Sequence, residues 1–252
     1  MNKVLLGILF LLMIYIDKER GIKLFISLIL NFLILALTFI MIAMKANPII
    51  CSLIGCYFIS SVILFFVNGN NIKTKTSFHS VLIVLLILLI LIFVMTKLSR
   101  IAGFGYESFE EINMFSYDIN IDFVNIAISL ILISLIGAMV DASIAISSAL
   151  YEVYDNNKKL TKKELFQSGM NIGKDILCTT TNTLLFAFLG DFMTLVIWYY
   201  MGHYSFLEMI NAKTFAQELI KILFSAIGCF LIIPVTAYVT STELIKEIRY
   251  EE

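Results

Sequence analysis

GAMVDASIAISSALYE, residues 137–152, closes an apolar run that begins at Phe123, and it places one acid, Asp141, where a lipid-facing helix would carry none. The run 123–150 is long enough to cross a bilayer, because about 20 apolar residues suffice at about 1.5 Å of rise per residue. Backbone amides in hydrocarbon must bond within their own segment, so a run of this kind is read as a helix. On that helix Gly137, Asp141, Ala145, Ser148 and Glu152 fall within about 80° of one another. The face they make is small and polar. It is expected to pack closely against neighbouring helices, with Asp141 pointing into the bundle.

The rest of the chain agrees with a membrane setting. Of its 252 residues 60% are hydrophobic, and mean hydropathy is +0.95, against roughly 45–50% apolar residues in soluble domains. Apolar runs at about 3–16, 22–44, 48–67, 78–96, 123–150, 176–200 and 220–241 predict an all-α integral membrane protein of about seven transmembrane helices, the first of them short. The opening MNKVLLGILFLLMIYIDKER has a signal-like apolar core without a small-x-small cleavage pattern, and is expected to be an uncleaved first span. No low-complexity run or long linker divides the chain, so residues 1–252 are expected to form one domain.

Charge sets orientation. The 18 Lys+Arg nearly balance 19 Asp+Glu, which leaves no basic field for nucleic acid. The basic residues are unevenly shared: Lys18, Arg20, Lys23, Lys73, Lys75, Lys158, Lys159, Lys162, Lys163, Lys174, Lys246 and Arg249 fall on one side, and Lys3, Lys45, Lys97, Arg100, Lys213 and Lys221 on the other. The positive-inside rule puts the first group in the cytoplasm, the N-terminus outside and the C-terminus inside. The acidic stretch GFGYESFEEINMFSYDINID (103–122) is then external. Residues 155–175 are a cytoplasmic connector, in which Thr161 and Glu164 have capping-box spacing and Leu165, Phe166 and Met170 alternate with lysines. A short amphipathic helix lying on the inner membrane surface is expected there.

The span after the connector, DILCTTTNTLLFAFLGDF, carries a matching polar stripe. Thr179, Thr183, Ala187, Gly190 and Thr194 share one face, and Thr180, Thr181 and Asn182 complete a run of four threonines and an asparagine. An acid within a bilayer costs about 2.5–3.5 kcal/mol on insertion scales and by default marks an ion or proton path. Asp141 is therefore expected to be a protonatable relay group, with Thr179, Thr180, Asn182 and Thr183 as polar neighbours; Gly137, Ala145, Ser148 and Gly190 are expected to pack helices. Threonines that bond back to their own helix would be the structural alternative.

Other chemistry is thinner. Cys51, Cys56, Cys178 and Cys229 sit within apolar runs without CxxC spacing, and His79 and His203 lie at span edges without metal-ligand spacing to an acid or cysteine. No metal, no cofactor and no enzymatic activity are expected. FLGDF and the Tyr154-Asp155 pair lack the first glycine of an intramembrane aspartyl protease motif, since Phe188 stands there; Asp155 also lies outside the span.

GAMVDASIAISSALYE, SGMNIGKDILCTTTNTLLFAFLG and IGCFLIIPVTA, together with NPIICSLIG and NGNNIKTKTS, closely resemble the YibE/F family of bacterial multispanning membrane proteins over the whole length. Departures are Lys174 in place of an arginine, Cys178 in place of a glycine, and Asp191 in place of a small hydroxyl residue. The order of GxxxD, small residues, Glu, basic connector, Gly and Thr-rich span more loosely resembles the fourth and fifth helices of a resistance-nodulation-division half, above all in the protein-export subunits SecD and SecF. That similarity implies proton relay through the buried acid, and a last-six-helix core without the large external domain, since only KANP separates the second and third runs. Together these readings lead us to expect a proton- or cation-coupled transport component in the bacterial cell membrane, in contact with lipid and with a membrane protein partner, plausibly a longer YibE/F member that has an external domain. A non-transporting assembly or stability subunit, its polar stripes acting as helix glue, is the other class.

Overall fold

The computed structural model of the protein describes residues 2–99 and 122–251. Apart from Asp122, the acidic stretch 103–122 lies outside them. Among the described residues the fold is all-α: α1 (Asn2–Ala43), α2 (Pro48–Ser61, continued by a π-helical turn Val62–Val67), α3 (Ile72–Ser99), α4 (Phe123–Asn156), α5 (Lys162–Met201), the short α6 (Phe206–Asn211) and α7 (Lys213–Glu251).

Six of these helices are long and apolar enough to cross a membrane, and the first two sequence runs share one of them, 4–43. That helix is not straight. Asp17 (φ −132°, ψ 18°) and Lys18 (φ 41°, ψ −109°) leave the helical region, and the chain turns back on itself. In a straight helix Phe10 and Phe25 would stand about 22 Å apart; their ring centroids are 4.6 Å apart. Gly21 permits the return, because a Cβ there would lie 2.0 Å from the Met13 carbonyl oxygen. The first leg, 2–16, is about 22 Å long, against about 30 Å of hydrocarbon.

Sequence signals set the other boundaries. Asn47 caps α2 by accepting from the Ile49 amide at 3.1 Å, ahead of Pro48 at the first helical position. Asp122 caps α4 by accepting from the Val124 amide at 3.0 Å. The π turn widens the end of α2, where Asn68 donates its side-chain amide to the Ile63 carbonyl at 3.1 Å. Thr161 and Glu164 form the expected capping box, the Thr161 amide donating to Glu164 Oε2 at 2.8 Å. This backbone bond, and then the Thr161 hydroxyl, hold the Glu164 carboxyl below its ordinary range.

The connector differs from expectation. Only 157–161 interrupt the helices; α5 starts at Lys162 and runs on without a break through the Thr-rich span to Met201. The apolar residues meant for the membrane surface turn to protein instead. Leu165 is wholly buried, packed with Tyr154 and Leu244, and Phe166 and Met170 lie against the main core. An amphipathic face is satisfied equally by lipid and by a neighbouring helix, and here α4 and α7 are the neighbours.

α4 is the central helix, packed on α2, α3, α5 and α7. Its Leu132, Leu135, Met139, Ile146 and Leu150 are buried with Leu88 and Ile92 of α3 and Ile232 of α7. The outward surface is apolar too: Phe32 and Leu37 of α1, Leu86 and Ile90 of α3, and Phe186 and Met193 of α5 are exposed, as suits a surface solvated by lipid and not by water. Trp198, Tyr199 and Tyr204 cluster at the far end of α5 with ring centroids 5.4–5.7 Å apart, the aromatic signature of a membrane–water boundary.

Candidate functional site: polar faces of the fourth and fifth helices

Helix counting puts the chemistry at one level. Asp141 lies 18 residues into α4, Cys229 lies 16 residues into α7, and Thr183 lies 18 residues before the end of α5. α4 and α7 run in one direction and α5 returns in the other, so at about 1.5 Å per residue all three stand roughly 24–27 Å from the same end of the bundle.

The expected stripe on α4 is a single face, and it points outward. Gly137, Asp141, Ala145 and Glu152 are exposed, while Met139, Val140, Ala142, Ser143, Ile146 and Ser147 are buried on the opposite side. On α5, Thr179, Asn182, Thr183, Ala187, Gly190 and Thr194 are exposed and Thr180 is half-buried, with Phe186 and Met193 exposed on the same side. The expected role of Gly137, Ala145 and Gly190 in packing helices within the chain is therefore corrected. Among the described residues, a Cβ added at Gly137 or Gly190 would meet nothing within 4 Å. Ser148 differs, being half-buried beside a polar pocket of about 200 Å³ that it lines with Arg20, Asn68, Asn71, Lys73 and Thr74.

Asp141 and the threonine cluster share a depth, but the protomer does not join them. Thr179 donates its hydroxyl to the Ile176 carbonyl at 2.9 Å, and Thr183 to the Thr179 carbonyl at 2.9 Å. Among the described residues no hydrogen bond links Asp141 to Thr179, Thr180, Asn182 or Thr183. What the arrangement offers is an open polar surface within the membrane: one carboxylate on α4, and hydroxyl and amide groups on α5.

Close packing falls to other glycines. A Cβ at Gly169 would stand 2.9 Å from Ala237 Cβ and from Leu150 Cδ1, and one at Gly173 would stand 2.2 Å from Ile233 Cγ2. These two make a GxxxG pair in SGMNIGKD, and they seat α5 on α7.

The YibE/F-like family model matches residues 5–246, nearly the whole chain. The chain belongs to that family. No curated protein and no solved structure matches it.

One feature of this YibE/F-like chain escaped the sequence reading. Thr74, Thr76, Ser77 and Ser80 of α3, Ser143 and Ser147 of α4, and Thr236, Thr240 and Ser241 of α7 are all buried. The Ser77 and Ser147 hydroxyls are 2.7 Å apart, and Ser147 donates to the Lys73 carbonyl at 3.0 Å. Among the described residues the Thr236 and Thr240 hydroxyls have no partner, and neither does that of Thr181 on α5. The signal was available as hydroxyl residues one helical turn apart, at 76 and 80, 143 and 147, and 236 and 240. The pairs at 143 and 236 sit inside apolar runs and the pair at 76 at the start of one, and each reads singly as ordinary spacing.

Proposed function

We propose that the chain is one membrane component of a proton- or cation-coupled transporter, with Asp141 as the group that takes up and releases the ion and the α5 polar face as part of the path. The supporting observation is the outward, membrane-depth exposure of Asp141 on α4, at the level of the exposed Thr/Asn face of α5. A carboxylate facing hydrocarbon is costly. An exposed one on a stripe of Gly and Ala suits a surface that another protein or a water-filled cleft covers. The partner is a membrane protein, plausibly a longer YibE/F-like protein with an external domain. In this reading the first leg of α1 crosses the bilayer, the N-terminus is outside, the lysine-rich end lies in the bacterial cytoplasm, and the last six helices follow the resistance-nodulation-division order of an acid helix, a basic connector and a Thr-rich helix.

A second reading has one observation in its favour. Thr179 and Thr183 bond to their own helix, as polar residues do when they serve only to bend or join helices. The chain would then be an assembly subunit without transport.

The test is proton flux. The chain and the membrane proteins that co-purify with it are reconstituted in vesicles holding a pH-sensitive dye, and a pH gradient is imposed. The transport reading expects flux with wild type and with Asp141→Glu, and none with Asp141→Asn, which keeps shape but cannot titrate. Equal flux with Asp141→Asn, or loss only with Asp141→Leu, rejects it.

A further inference from the structure

A groove of about 710 Å³ lies between the start of α3 and the end of α7. It is separate from the Asp141 face and has a graded lining. Lys75, His79 and Ile83 follow one another by single turns on α3, and Val239, Glu243 and Lys246 do so on α7. The two helices are antiparallel, since α3 enters the bundle at the end where α7 leaves it. Lys75 therefore faces the level of Glu243 and Lys246, and Val239 and Ile83 lie about 6–12 Å deeper.

The charges are concentrated at the mouth. Lys246 Nζ is 2.9 Å from Glu243 Oε1, while Lys75 has no acid within ion-pair distance among the described residues. Lys75 thus sets a positive charge one turn from His79 on the groove's α3 wall. Lys162 adds a further cation at this end, its Nζ 4.1 Å from the centroid of the exposed Tyr238 ring. Below the mouth the walls are aliphatic, and Ile83 is 44% exposed, so the groove opens sideways to whatever surrounds the bundle.

We propose that this groove is a binding site for one anionic phospholipid. Its phosphate would lie against Lys75 with His79 and Lys246, and an acyl chain would run down Ile83 and Val239. A soluble anion would match the mouth and leave the aliphatic floor unused; a zwitterionic lipid would match the floor and gain little from the unbalanced lysine. Lysines at this depth reach the headgroup level along their own aliphatic stems. The site depends on the membrane reading alone and not on transport through Asp141.

Native mass spectrometry of the full chain, released from nanodiscs of equal phosphatidylcholine and phosphatidylglycerol, tests it by counting retained lipids. Wild type should keep one phosphatidylglycerol in preference to phosphatidylcholine. Lys75→Gln should lower that preference about fivefold, the effect of one basic residue near an anionic headgroup. Ile83→Trp, which fills the floor, should lower retention of both lipids, and Lys158→Gln, on the loop between α4 and α5, should change nothing. Equal retention of the two lipids by wild type, or an unchanged preference in Lys75→Gln, overturns the proposal. So does displacement of the retained lipid by inorganic phosphate, which would mark a site for a free anion. Lys75→Gln alters an exposed side chain, so the result stands even where Ile83→Trp does not fold.

Discussion

Two pairs of glycines on neighbouring helices do opposite things. Gly169 and Gly173 bring α5 against α7 and α4 so closely that a Cβ would fall 2.2–2.9 Å from Ile233, Ala237 and Leu150. Gly137 on α4 and Gly190 on α5 sit on stripes just as small, and among the described residues nothing would meet a Cβ there within 4 Å. A row of small residues records that some surface comes close; it does not record which surface. The first pair is explained by the protomer. The second pair, with Asp141 and the Thr179–Thr183 face, faces outward at the depth where lipid alone is a poor match.

The contrast is most sharply tested by filling both pairs. Gly173→Leu should have the largest effect, because the side chain would overlap Ile233, and overpacking typically costs 1–3 kcal/mol and occasionally more. Loss of monodisperse protein in size-exclusion chromatography is the expected outcome. Gly169→Ala, with contacts at 2.9 Å, should lower the thermal midpoint less. If Gly173→Leu folded normally, the seating of α5 on α7 would be wrong.

Next in size is an effect on assembly and not on folding. Gly137→Leu and Gly190→Leu should leave the isolated protomer within about 0.5 kcal/mol of wild type, as surface substitutions do, while removing co-purifying membrane protein. Thermal denaturation of the detergent-solubilised chain, run beside a co-purification gel, separates the two. A drop in midpoint equal to that of Gly169→Ala would erase the distinction between the pairs.

The smallest effect is a pH dependence at the start of α5. Glu164 is held below its ordinary value of 4.5 by bonds from Thr161. Its folded-state pKa is depressed, so its contribution is present above that ordinary value and is lost as pH falls through the lower folded value. Wild type should lose its advantage over Glu164→Gln as pH drops from about 4.5. A constant difference across that range would mean the capping box does not titrate as described.

Much of the fold was legible because helix length and apolar content are local properties. The runs from residue 48 onward became helices α2 to α5 and α7, and Thr161 caps α5 where its spacing to Glu164 suggested. The grouping of Gly137, Asp141 and Ala145 on one face was legible too, since 3.6 residues per turn fix it. The direction of that face was not. Amphipathicity in a membrane helix distinguishes a polar side from an apolar one, and both the bundle interior and a partner surface accept the polar side. The break between the first two runs was legible as well, because Asp17, Lys18, Glu19 and Arg20 interrupt the apolar sequence; the tightness of the turn was not, since Lys18 takes a positive φ of 41°, uncommon for a residue other than glycine. The connector escaped because Leu165, Phe166 and Met170 fit a membrane surface and a groove between α4 and α7 equally well.

Collision accessibility of nitroxide labels tests most directly whether the α4 and α5 polar faces are covered by protein. Cysteines introduced singly at Ala145 and Ala187 are labelled in native membranes and in the purified protomer, with Leu86 and Ile90 on the exposed face of α3 as lipid-facing references. Covered faces should show low collision with both oxygen and a water-soluble nickel chelate in native membranes, and a rise in one or both after purification. Oxygen collision at 145 and 187 as high as at 86 and 90 in native membranes would show that these faces meet lipid, and would contradict the account.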